Sequence, residues 1–289
     1  MSFKALEEIV DITKKTDRPF WEVVLAEELS ESQQTRAEAL AKMENLYQAM
    51  KEADQNYDSS LKSHSGLVGG DGEKIARAIK NGTMICGDFI GRVMEKAIKM
   101  GESNACMKRI VAAPTAGSCG VIPAVLLTYA EQNEIDEMRI IEALFVAAGI
   151  GEIIAHRAFI AGATGGCQAE IGSASAMAAG ALAYLRDGDA DTIVHAAALA
   201  LKSLLGLACD PVAGLVEVPC VKRNVIGAVN ALTSVDMALA GIRSQIPPDQ
   251  VIDAMRLIGN AMPAALKETG EGGLAITPTG LAIAKGLKE

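Results

Sequence analysis

Ser173-Ala174-Ser175-Ala176-Met177-Ala178-Ala179-Gly180-Ala181-Leu182-Ala183-Tyr184-Leu185 is an uncharged run of small and apolar residues. Alanine is the best helix former, and small side chains let helices approach closely. The same texture extends on both sides, from about residue 118 to 208, with loops expected at 161–168 and 187–190. Hydrophobic residues make up 50% of the chain but aromatics only 3%, so the core must be filled with Ala, Leu, Ile, Val and Met. With 28 glycines in 289 residues, the composition favours tight helix packing over a β-sandwich. The fold class that follows is mostly α: a single helical domain whose Gly/Pro-rich loops converge on one site.

Outside that run the chain divides in two. Residues 1–56 are charged and read as a peripheral helical layer. Phe3, Leu6 and Val10 share one helical face with Ser2 as N-cap, Asp17 before Pro19 starts a second helix, and Leu40, Met43, Tyr47 and Met50 recur at helical spacing. Residues 57–289 form the core of the domain. They open on a polar, Gly-rich loop at 59–72, followed by helices near Glu73–Lys80 and Asp88–Met100 and a short strand at 108–113. After the Ala-rich segment come a loop at 209–220 with two prolines, then helices at 221–242 and 249–261. There is no repeated β–α alternation and no internal repeat. Glycine-rich loops between all-apolar segments need a reason, because loops ordinarily run over the surface.

Charge and cysteine usage narrow the function. A net charge of −9 argues against nucleic acid or an anionic membrane as partner. Glu142, Glu152, His156, Arg157, Glu170 and Lys202 interrupt the longest apolar runs, so no membrane span is expected. The N-terminus carries acids and no apolar signal region, which points to a soluble, cytoplasmic protein. In that compartment six cysteines are ligands, catalysts or packing residues rather than disulfides.

Cys167, Cys209 and Cys220 all lie in or beside Gly/Pro breaks, 42 and 11 residues apart. Packing as small hydrophobes is one reading of them. Ligation is the other, because helix ends stabilise thiolates. Structural zinc wants four ligands, whereas three thiolates suit an iron–sulfur cluster with one iron left open. An open iron is a Lewis acid that can take a substrate hydroxyl. Cys86, Cys106 and Cys119 read as packing residues.

Ala113-Pro114-Thr115-Ala116-Gly117-Ser118-Cys119-Gly120 precedes a helical pattern. Thr115, Ser118 and the amides of a helix start suit a carboxylate, although a capped helix start needs no more than Ser118. The 59–72 loop offers Lys62, Ser63, His64 and Ser65. His64 and Lys62 are candidate bases, or else a solvated histidine and a surface charge. His156 and His195 read as core histidines.

The stretch Ala113–Ala124 resembles the corresponding part of bacterial iron–sulfur L-serine dehydratases. So do Cys167-Gln168-Ala169-Glu170-Ile171-Gly172, Cys209-Asp210-Pro211-Val212-Ala213-Gly214-Leu215-Val216-Glu217-Val218-Pro219-Cys220 and the following Arg223-Asn224. The likeness runs from about residue 60 to the C-terminus, and the chain resembles the separately encoded alpha subunit. The resemblance implies a mostly helical fold and an oxygen-sensitive [4Fe-4S] cluster on Cys167, Cys209 and Cys220. It implies conversion of L-serine to pyruvate and ammonia without pyridoxal phosphate. Thr115 and Ser118 would hold the substrate carboxylate with Arg223 or Asn224 assisting, and Ser63 and Ser65 would also bind substrate. Lys62 or His64 would take the Cα proton. Single-chain relatives carry an extra N-terminal domain, so a beta-subunit partner is expected. Two rival readings remain. One is a pyridoxal-phosphate lyase, with Lys62 as its lysine and Gly272-Gly273 cradling a phosphate. The other is a non-catalytic subunit that scaffolds a metal-bearing partner.

Overall fold

The computed structural model describes residues 3–287. Their helices, in chain order, are α1 (Leu6–Thr16), α2 (Phe20–Glu31), α3 (Arg36–Gln55), α4 (Asp71–Lys80), α5 (Gly87–Ala105), α6 (Val121–Asn133), α7 (Glu137–Arg157), the single turn α8 (Gly162–Gly165), α9 (Ser173–Leu185), α10 (Ala190–Lys202), α11 (Cys220–Leu239), α12 (Pro248–Ala261) and α13 (Pro278–Gly286). The predicted mostly α class holds. No helix among the described residues is long and apolar enough to cross a membrane.

Helix α9 is the uncharged Ala-rich run, and every one of its residues is buried. A helix apolar on all sides must be enclosed. Here α7, α10, α11 and α6 surround it. Gly180 is required for that enclosure, because a Cβ there would overlap Ile150 Cδ1 on α7. Of the polar atoms inside, the hydroxyls of Ser173 on α9 and Thr128 on α6 have no partner, whereas Ser175 is bonded on both sides. Ser175 Oγ donates to Gly227 O at 2.7 Å and accepts from Asn230 Nδ2 at 2.9 Å, which joins α9 to α11. Asn230 also donates to Ala200 O at 2.8 Å on α10. Lys96 on α5 reaches Asp54 on α3 at 2.5 Å and Glu131 on α6 at 3.0 Å.

Several local expectations are corrected. Residues 108–113, expected as a strand, form no strand and carry no regular secondary structure. They lie across α3, beside Leu46 and Ala49. The layer at 1–56 is less peripheral than its charge suggests: Phe20, Val24 and Leu25 enter the main core and α2 packs on α7. Ser2, the expected cap, lies outside the described residues. The first amides of α1, Leu6 and Glu7, instead donate to Asp249 at 2.8 and 3.2 Å. Asp17 ends α1 in the left-handed conformation rather than capping α2, whose N-cap is Pro19. Cys86 is exposed and Cys106 half-buried, so of the three cysteines expected to pack only Cys119 is fully enclosed. His156 is exposed, 3.5 Å from Glu152. His195 accepts from Ser244 N at 3.1 Å and lines a cavity of about 580 Å³ between α1, α10 and α12, which shares no residue with the cysteine site.

Candidate active site

Three irregular segments bring Cys167, Cys209 and Cys220 into one neighbourhood. Cys167 ends the break after α8 and starts a π-helical turn, Gln168–Gly172, that runs on into α9. Such wide turns recur at functional sites because they re-aim side chains. Gln168 fixes this turn. Its Nε2 donates to Gly165 O at 2.9 Å and Met255 O at 3.1 Å, and its Oε1 accepts from Gly206 N at 2.8 Å. Cys209 lies in an extended segment bonded to the C-terminal part of the chain: its N–H donates to Leu266 O and its carbonyl accepts from Glu268 N, both at 2.8 Å. Cys220 is the first residue of α11.

All three thiols are buried. Burial pushes Cys167 up to about 11; Arg223 opposes this and Glu170 adds to it. Burial likewise pushes Cys220 up to about 12, reinforced by Cys167 and Glu170. Cys209 is raised too, by burial and then by Cys167, with Cys220 also contributing. Geometry joins the segments: Arg223, three residues after Cys220, reaches the residues on either side of Cys209, and a Cβ at Gly162 would touch both Cys209 Sγ and Glu170 of the Cys167 turn. Three thiolates could not persist here without a compensating cation. Arg223 supplies part of one. Its charge lowers the Cys167 thiol, and it donates to Ala208 O at 2.7 Å and lies 2.8 Å from Asp210 Oδ1. Backbone also approaches closely, since a Cβ at Gly162 would stand 2.8 Å from Cys209 Sγ and 2.9 Å from Glu170 Oε2.

Among the described residues no three His, Cys, Asp or Glu side chains are grouped to share one metal ion. A cluster does not require such a grouping. Thiolates of an iron–sulfur cluster bind different irons and stand further apart than ligands of one ion. Three buried thiols on converging segments, with Arg223 bound beside Cys209 and glycine backbone against the Cys209 sulfur, fit such a cluster.

The turn Ala116–Ser118 lies before α6. Thr115 and Ser118 cap each other: Thr115 N donates to Ser118 Oγ at 3.4 Å, and their hydroxyls lie 3.2 Å apart. Asn224 on α11 holds this turn. Its Oδ1 accepts from Gly120 N at 2.8 Å, and its Nδ2 donates to Gly117 O at 2.8 Å and Cys220 O at 3.0 Å. Asn224 and Arg223 thus spend their polar atoms on the protein, binding the anion-type turn and the Cys209 segment to α11.

The 59–72 loop is tied to the same region. Ser63 Oγ donates to Glu217 at 2.8 Å, and Ser65 Oγ donates to the same carboxylate oxygen. Glu217 is buried three residues before Cys220. Lys62 Nζ donates to Gly69 O at 2.5 Å, and its charge bears on Cys106. His64 is exposed at the tip of the loop. Glu102, buried on α5, accepts from the N–H groups of Gly69, Asp71 and Gly72 at 3.0, 2.9 and 3.3 Å and from Tyr57 Oη at 2.6 Å. Asp210 lies against Gly273 and accepts from Leu274 N at 2.8 Å.

Sequence reasoning assigned no role to Glu102, Glu170 or Glu217. The last two stand inside the cysteine motifs, and a charge within an apolar, Gly/Pro-rich stretch was the available signal. Glu102 gave none, because an acid on a charged helix reads as surface.

The serine dehydratase alpha chain family matches residues 15–275. A probable L-serine dehydratase alpha chain of Bacillus subtilis is 45% identical over 98% of this chain and 94% of its own. The L-serine dehydratase alpha chain of Peptoniphilus asaccharolyticus is 42% identical over 96% of this chain and 95% of its own. An L-serine dehydratase of Streptomyces coelicolor is 44% identical over 62% of this chain but only 40% of its own length. A match spanning the cysteine segments, the anion-type turn and the loop bound to Glu217 leaves one assignment: the chain belongs to the serine dehydratase alpha chain family.

Proposed function

We propose that this chain is the alpha subunit of a cytoplasmic L-serine dehydratase that carries a [4Fe-4S] cluster on Cys167, Cys209 and Cys220 and works with a beta subunit. The observation that carries the reading is the convergence of three segments, each with a buried cysteine, beside a carboxylate-type turn, in a chain of this family. When bound, the cluster supplies a Lewis-acidic iron at which the substrate hydroxyl can leave.

The chain's own residues do the rest. Thr115 and Ser118 hold the substrate carboxylate at the turn before α6, and Asn224 keeps that turn in place. Arg223 holds the Cys209 segment and offsets charge at Cys167. His64 takes the proton from Cα. Of the two sequence candidates it is favoured because Lys62 is committed to Gly69 O, whereas Ser63 and Ser65 clamp the residues on either side of His64 to Glu217. Loss of the Cα proton and of hydroxide from Cβ leaves an enamine, which tautomerises and hydrolyses to pyruvate and ammonia.

Anaerobic loading with iron and sulfide, followed by visible absorbance and pyruvate assays, tests the proposal. Cys167→Ser loses the cluster absorbance and the activity together; retention of both overturns the ligand assignment. Full turnover by His64→Ala removes His64 as the base.

A further inference from the structure

A free amino acid carries an ammonium as well as a carboxylate, and none of the groups assigned so far receives it. Glu170 lies on the π turn three residues after Cys167, half-buried. A Cβ at Gly117 would stand 3.2 Å from both of its carboxylate oxygens, and one at Gly162 would stand 2.9 Å from Oε2 and 2.8 Å from Cys209 Sγ. The carboxylate therefore sits between the turn that suits the substrate carboxylate and the cysteines, with two bare glycine backbones against it. Burial raises its carboxyl above the ordinary range, the Thr115 hydroxyl opposes that and Glu268 adds to it, and among the described residues no Lys, Arg or His forms an ion pair with it. Glu102 and Glu217 differ, because each accepts several donors from the protein itself. A half-buried carboxylate facing the site without a cation is suited to a cationic ligand.

We propose that Glu170 recognises the ammonium group of the substrate, accepting its hydrogen bonds while the carboxylate rests on the Thr115–Ser118 turn, and so selects free α-amino acids. The inference rests on the serine reading above. Glu170 is the third point of attachment, fixing which face of Cα meets the base.

L-alanine and propanoate differ only in the ammonium group, and neither has a hydroxyl to meet the iron. Titration of the loaded full-length protein with each reads Glu170 without turnover. Wild type binds L-alanine about a hundredfold more tightly than propanoate, the size expected for a desolvated charge-assisted contact. Glu170→Gln abolishes that preference and raises KM for L-serine by a similar factor, with a smaller change in kcat and unchanged cluster absorbance. Glu170→Asp keeps the charge and most of the preference, and serves if the glutamine variant does not fold. Equal affinity of wild type for both ligands overturns the proposal. So does a Glu170→Gln that keeps the preference, or one that loses kcat at constant KM. A wild type that prefers L-alanine but never releases pyruvate from L-serine refutes the dehydratase reading and leaves the ammonium role standing.

Discussion

Asn224→Ala is the substitution whose cost can be worked most directly from the structure. Asn224 is 1% exposed and bridges α11 to the turn before α6. The orientation of its amide follows from its partners, with oxygen facing the Gly120 N–H and nitrogen facing two carbonyls. Alanine removes all three bonds. Cys220 O retains its place in the first turn of α11, but the Gly120 N–H and Gly117 carbonyl lose these buried contacts. At roughly 1–3 kcal/mol for each buried group left unpaired, the loss of stability is about 2–6 kcal/mol. Guanidinium unfolding of the variant beside wild type measures it as a lower midpoint at unchanged slope. Asn224→Asp refines the test. It keeps the acceptor for Gly120 but sets carboxylate oxygens against two carbonyls, so it is as damaging as alanine at neutral pH. Its native carboxyl titrates higher than its unfolded one, so the deficit shrinks as acidification protonates it. A loss below about 1 kcal/mol for Asn224→Ala would refute the clamp.

Gly162→Ala places a methyl against Cys209 and Glu170, so it lowers the iron and sulfide retained after loading while helical circular dichroism stays at wild-type strength; normal metal content would show that the backbone does not limit the site. Glu217→Gln leaves Ser63 and Ser65 without their shared anionic acceptor, and faster hydrogen exchange across 63–68 reports the freed loop. Asp71 donates nothing but accepts from Lys222 and Lys74, which hold its carboxyl down to about 2 from an ordinary 3.8. The stabilisation is thus present above the ordinary value and is lost as pH falls towards 2. Because Lys222 and Lys74 are largely exposed, Asp71→Asn costs only about 0.5–1 kcal/mol at pH 7, and the gap between variant and wild type closes in acid. Gly180→Ala overpacks α9 against Ile150 by about 1–3 kcal/mol, and Ile150→Val in the same chain recovers part of that, read as favourable coupling in a double-mutant cycle; strict additivity would place the contact elsewhere.

The helical frame was legible because its signal is local. A run such as Ser173–Leu185, apolar on every side, must be both helical and enclosed, and it is. The helix starts at Cys220 and Pro248 fall within a residue of their expected positions. The strand expected at 108–113 failed for the complementary reason: extended propensity makes a strand only when a partner edge exists, and α3 occupies that side. Cysteine motifs and the Thr115–Ser118 turn were visible as residue types at chain breaks. What their neighbours do was not, because Asn224, Arg223 and Gln168 act through contacts spanning up to 107 residues of sequence. A polar residue next to a motif looks alike whether it meets a ligand or a backbone carbonyl.

The acids around the site show how that distinction arises physically. Loops buried between apolar helices carry N–H groups that no helix ladder satisfies, and each needs an acceptor. A carboxylate offers several lone pairs from one side chain and takes several donors at once. Glu102 does this for three amides at the start of α4, Glu217 for the two serines flanking His64, and Asp210 for Leu274 N and the Arg223 guanidinium. These acids act as struts, and removing one should loosen a loop before it alters ligand choice. Glu170 is only half-buried and has a different set of neighbours: one hydroxyl, two glycine backbones and a second acid. Its capacity is not consumed by the fold, so its replacement should be felt in what the site binds rather than in how firmly the chain folds.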